Sequence, residues 1–148
     1  MSNWTQITPD HLKAAAHANV IDRAATMATG TLDPVAEAIA DAVARVRRAV
    51  ASANSLDIDQ TKVPNSLKGM TVRLAVFTLM DRLGFSLKDD QRETRKNDYS
   101  DLLRLTDKMI RVETPDSSAG SGEIQQGNTV VAVNVPRRQT GRERTSGL

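Results

Sequence analysis

A chain of 148 residues has room for one domain and a tail. Its formal charge of +2 and pI near 9.2, with much of the basic excess at the Arg-rich end, are too mild to imply nucleic-acid binding, because proteins that grip phosphate gather Lys and Arg on one face. The absence of cysteine excludes disulfides, thiolate zinc sites and cysteine nucleophiles, and an aromatic content of 3% leaves the core to Leu, Val, Ile, Met and Ala, a palette suited to packed helices.

The first helix signal is Thr8-Pro9-Asp10. A threonine hydroxyl can cap, and proline suits the first helical position, where no amide hydrogen is needed. The Ala-rich segment His11 to Met27 follows, with Asn19 as an interruption or a cap between two short helices, and Gly30 ends the region. Asp33-Pro34 repeats the cap-then-proline pattern. Val35, Ile39, Val43, Val46 and Val50 then recur in steps of three and four, one apolar stripe on a helix running to about Asn54. The alanines around that stripe keep the helix thin, so neighbours can approach closely.

A polar connection, Ser55 to Pro64, leads to the third helix. Pro64 pushes Val63 toward extended backbone, and Asn65 or Ser66 is expected to cap. Leu67, Met70, Leu74, Phe77, Met80 and Leu83 form its main face, while Val72, Val76 and Leu79 make other faces apolar too. Such a helix belongs at the centre of the domain, with Gly84 as its stop. The fourth helix is predicted to start near Lys88 or Asp89 and to run to Pro115. Its first half has no large apolar residue and should be mostly solvated; Tyr99, Leu102, Leu103, Met109 and Ile110 follow at helical spacing in the second half.

From Asp116 the composition shifts to a Ser/Gly-rich linker, and Thr129 to Val135 is the one strongly β-prone run. Pro136 and the arginines 137, 138, 142 and 144 follow. A lone strand cannot satisfy its own backbone groups. Val131, Val133 and Val135 would share one side of it, opposite Val130. That pattern suits a segment that adds to a partner's sheet edge and orders only on binding. The candidate partner-docking residues are therefore Val130, Val131, Val133, Val135, Arg137 and Arg138.

Signals for chemistry are thin. Asp89-Asp90 and the Asp57/Asp59 pair are explained by a helix start and a polar loop. His11 and His17 lie six apart, off the i, i+4 spacing of a helical metal pair, and Gly120 and Gly122 have no preceding strand to make a phosphate loop. No catalytic, cofactor-binding or metal-ligating residue is assigned, and an enzyme is not expected. Arg45, Arg47 and Arg48 are the densest basic point of the helical region. They form either a solvated helix face or a face toward an acidic partner or nucleic acid. No apolar run approaches the roughly 20 residues of a membrane span. The first residues lack the charged-then-apolar pattern of a signal peptide, so a cytoplasmic protein without a membrane partner is expected.

The order of these elements resembles the head–tail connector proteins of tailed bacteriophages, Mu-like phages included, over roughly residues 6–115. The resemblance rests on the Ala-rich helix from Asp33 to Asn54, the phrase Val63-Pro64-Asn65-Ser66-Leu67 and the apolar helix Val72 to Leu83, then Asp90, Arg92, Arg95, Tyr99 and Leu103. It implies a protomer that closes into a ring, commonly of about twelve copies, beneath the portal. Such a ring seats the stopper or tail-terminator protein and extends the channel through which double-stranded DNA passes without sequence-specific binding. It implies a place at the head–tail junction of the virion, assembled in the bacterial host cytoplasm. Arg45, Arg47 and Arg48 become a candidate inter-subunit or channel face.

The expected fold is all-α, a four-to-five-helix bundle with an extended C-terminal arm containing a short β-strand. Residues 1–115 would form the helical adaptor domain, and 116–148 the linker and docking tail. A helical nucleic-acid-binding regulator is the alternative, against which the long connection before Pro64 argues, since a helix-turn-helix needs a tight turn.

Overall fold

The computed structural model describes residues 1–52 and 54–117. Among these the chain is mostly helical, with five α-helices and a small two-stranded sheet that the all-α expectation leaves out. Strand β1 (Trp4–Gln6) pairs antiparallel with β2 (Lys62–Pro64), Thr5 opposite Val63. Three residues are too few for any periodicity to announce a strand. What holds this pair is burial, because Trp4, Val63 and Pro64 are all enclosed.

Thr8 and Pro9 start the first helix as expected, with His11 completing the cap. The Thr8 backbone N–H donates to His11 Nδ1 at 3.1 Å. Helix α1 (Pro9–Leu12) runs through a π-helical turn (Lys13–His17) into α2 (Ala18–Thr26). The irregularity expected at Asn19 therefore falls one turn earlier, as a widened turn and not a break. Gly30, at φ 60°, makes the tight return in which Thr29 and Leu32 exchange backbone hydrogen bonds.

Helix α3 (Pro34–Ala51) begins as its sequence dictates, the Asp33 carboxylate accepting from the amides of Val35 and Ala36 at 3.0 and 3.3 Å. It ends slightly before the expected Asn54. A 3-10 turn (Asn65–Leu67) introduces α4 (Lys68–Arg82). Neither Asn65 nor Ser66 caps that helix. The Asn65 side chain donates instead to the Ser2 carbonyl at 2.6 Å, and Ser66 donates its N–H and hydroxyl to the Glu113 carboxylate at 3.1 and 2.7 Å. Both side chains bind segments near the two ends of the described chain.

Helix α4 is central, as its all-round apolar sequence requires, packing against α1, α2, α3 and α5. It buries Met70, Val72, Leu74, Val76, Phe77, Leu79 and Met80. Ala38, Ala42 and Ala49 of α3 lie buried beside the valine stripe, where their small size lets α3 and α4 approach closely. At the end of α4, Gly84 takes φ 72° so that its N–H reaches the Asp81 carbonyl while Phe85 N–H reaches Met80, satisfying carbonyls the helix would otherwise leave open.

Helix α5 (Asp89–Thr106) stops nine residues short of the expected Pro115. Lys108, at φ 63°, supplies the same double closure, its N–H bonded to Leu105 and that of Met109 to Arg104. The periodicity that seemed to extend through Met109 is broken there, and Met109 is 74% exposed. Ile110 and Val112 instead pack onto the core from a non-helical stretch. The polar first half of α5 is mostly solvated, as expected, and Asp98 is its one buried residue. Asp98 is 4% exposed and takes a two-pronged bond from Arg73 of α4, at 3.0 and 2.6 Å.

Candidate functional site

The arginines at 45, 47 and 48 do not share one face. Arg47 turns inward, between α3 and the loop that precedes β2. Its guanidinium donates to the carbonyls of Asp57 at 2.7 Å, Asp59 at 2.9 Å and Lys62 at 2.7 Å, and it lies over the Trp4 ring at 5.5 Å. Burial pushes its pKa below the usual value, while Asp57 and Asp59 act in the opposite direction. Arg47 is thus a tether for the loop, and its charge is spent on backbone dipoles.

Asp57 and Asp59 belong to the same construction. Asp57 is buried, and its carboxylate accepts from Asp59 N–H at 2.9 Å and Ser117 N–H at 3.3 Å. Asp59 accepts from the hydroxyl and N–H of Thr61, which hold its carboxyl below the usual range. Both turn a loop and present no open acid pair. Asp89 and Asp90 stand in the first turn of α5. His11 is occupied in its cap. Among the described residues no group of three or more acidic or histidine side chains converges as a metal site would.

Arg45 and Arg48 remain exposed, on the seam between α3 and α5. Arg45 donates to the Tyr99 hydroxyl at 2.6 Å, and Tyr99 is flanked by Arg45 and Arg95 at 5.5 and 5.8 Å from its ring. Arg95 is itself held by Asp81 of α4 at 2.8 Å. Beside Tyr99 a shallow depression of about 370 Å³ is lined by Arg48, Ala49, Leu102, Leu103 and Thr106, and Leu103 is 67% exposed. An apolar side chain rimmed by cations and an aromatic ring has the composition of a protein contact.

A second surface went unforeseen. An apolar groove of about 720 Å³ runs along α3, floored by Ala36, Ile39, Ala40, Val43 and Ala44. Gln6, Ile7 and Pro9 form one wall, and Leu56, Gln60 and Thr61 the other. Ala36, Ala40 and Ala44 are exposed at four-residue spacing. That spacing was visible in the sequence, but nothing local says that the N-terminal segment and the 55–61 loop rise on either side of it.

Residues 116 and 117 are bound to the domain. The Asp116 carboxylate accepts from Asn3 N–H at 2.9 and 3.1 Å, from Trp4 N–H at 3.3 Å and from the Ser2 hydroxyl, contacts that hold its pKa below the usual range. Ile58 N–H donates to the Ser117 carbonyl at 2.9 Å. The proposed docking residues Val130, Val131, Val133, Val135, Arg137 and Arg138 lie outside the described residues. No helix among the described residues is long and apolar enough to cross a membrane.

The family model described as Bacteriophage Mu, Gp36 matches residues 2–121. No curated protein and no solved structure matches the chain.

Proposed function

The chain belongs to the bacteriophage Mu Gp36 family, and from that premise we propose that it is a ring-forming head–tail adaptor that docks under the portal and joins it to the stopper or tail-terminator protein. In this reading a helical body with an extended C-terminal arm extends the DNA channel at the head–tail junction of the virion, and its work is docking. The family match carries the proposal, and the α3–α5 seam supports it. Leu103 stands exposed between Arg48 and Tyr99, on a face that the described residues leave open. The seam would meet the neighbouring protomer, while Val131 and Val133 of the tail would hold the portal.

The nucleic-acid-binding alternative needs the three arginines to act together, and Arg47 is engaged with backbone carbonyls inside the fold. One experiment compares the two readings. The purified protein is incubated with the portal of the same phage and imaged by negative stain, in parallel with DNA binding across a salt series. Rings on the portal are expected, with Leu103→Asp impairing ring closure and Val131→Asp with Val133→Asp abolishing attachment, all with a cooperative helical melt retained. Normal assembly by these variants, or tight salt-dependent DNA binding without rings, would overturn the adaptor reading.

A further inference from the structure

We infer that the groove along α3 is the resting site of the chain's own Val130–Val135 segment, held there in the isolated protomer until a partner displaces it.

The groove is an open apolar concavity, and Ala36, Ala40 and Ala44 on its floor are too small to fill it. The place from which the tail departs points to the occupant. Ser117, the last described residue, is bonded to Ile58 and Asp57, and Leu56, Gln60 and Thr61 of that same loop form one wall of the groove. Thirty-one residues follow Ser117, and the stretch from 118 to 129 is polar and glycine-bearing. A polar, glycine-bearing stretch of that length spans roughly 20 Å by composition, enough to reach back to the groove.

The dimensions agree. From Ala36 to Arg47 the floor of α3 extends about 17 Å at helical rise. Six extended residues span about 20 Å. Val131, Val133 and Val135 would face the alanine and isoleucine floor together, since alternate side chains of an extended segment share a side. Tethering keeps the local concentration of the segment in the millimolar range, so even weak apolar docking is populated. The groove and the portal then compete for the same valines, which guards the tail against wrong partners before assembly.

The test is amide hydrogen exchange of the full chain, at a concentration where it is monomeric, against a free peptide spanning residues 126–140. Residues 130–135 should exchange at least tenfold more slowly in the chain than in the peptide. Ala40→Glu with Ala44→Glu, both at exposed helical positions, should restore the peptide rate while helical circular dichroism and a cooperative melt are retained. Ile39→Ala should speed exchange to a lesser degree. Peptide-like rates in the unmodified chain would overturn the inference, as would protection indifferent to the groove substitutions. So would protection that grows with protein concentration, because the occupant would then be a second copy. Failure of portal attachment with protection intact would count only against the function proposed above.

Discussion

Arg47 and Asp116 each replace several weaker contacts with one charged group. Arg47 gathers three carbonyls of the 57–62 loop, and Asp116 gathers amides at the start of β1. The Asp116 carboxyl has a folded pKa below its unfolded value of 3.8, first through the Asn3 N–H and then through the Ser2 hydroxyl. A depressed carboxyl contributes stability that is present above the unfolded pKa and lost as pH falls through the folded one. Asp116→Asn should therefore be less stable than the parent chain at pH 7. The difference between the two should shrink as pH drops below about 4, where the parent loses its carboxylate. Urea melts at pH 7 and pH 3 measure this, and an equal gap at both would show that the carboxylate charge plays no part. Charge-assisted bonds of this kind leave no mark in the sequence, because Asn3 and Asp116 are far apart along it.

Helix α4 is the element on which the others rest. Leu74 and Phe77 are buried against neighbours from several directions, at 2% and 4% exposure. Truncating either to Ala removes buried surface and leaves a cavity, and each should cost roughly 2–5 kcal/mol in chemical denaturation. Losses below about 0.5 kcal/mol at both positions would make α4 peripheral, against every packing contact it makes. Its ion pairs fix how neighbouring helices are presented. Arg82 bonds to Glu37 and Asp41 of α3 at 3.1 and 2.9 Å, Arg73 to the buried Asp98 of α5. The hydrogen bonds that Arg73 donates to Asp98 raise its pKa and outweigh the opposing effect of burial. The helix starts at Pro9, Pro34 and Asp89 follow from side chains within a turn of each start. The end of α5 does not, because Lys108 adopts a backbone conformation that favours glycine, and only the packing of Ile110 and Val112 makes that closure worthwhile.

At the scale of the whole molecule, the two ends of the described chain are fastened together. The Trp4 indole N–H donates to the Glu113 carbonyl at 3.1 Å, Ser66 binds the Glu113 carboxylate, and Asp116 and Ser117 close over β1 and the 57–58 loop. A cut meant to keep the helical domain whole must therefore spare these two residues, which lie just beyond the boundary expected at 115. Truncation after Ser117 should leave helical circular dichroism and a cooperative melt. Loss of the cooperative transition would mean that residues 118–148 belong to the core.

The sequence by itself determined the helix starts at Pro9, Pro34 and Asp89, the central place of α4 and a bacteriophage family, because caps, apolar stripes and element order are local or linear properties. The docking role of Val130–Val135 is still argued from sequence alone, since those residues lie outside the described ones. Tertiary structure decided the small sheet, the inward turn of Arg47, the early end of α5 and the groove beside α3. Each depends on residues brought together from distant parts of the chain. Arg45, Arg47 and Arg48 read alike along the helix, yet its roughly 100° step per residue sends Arg47 toward Trp4 and leaves the other two in solvent.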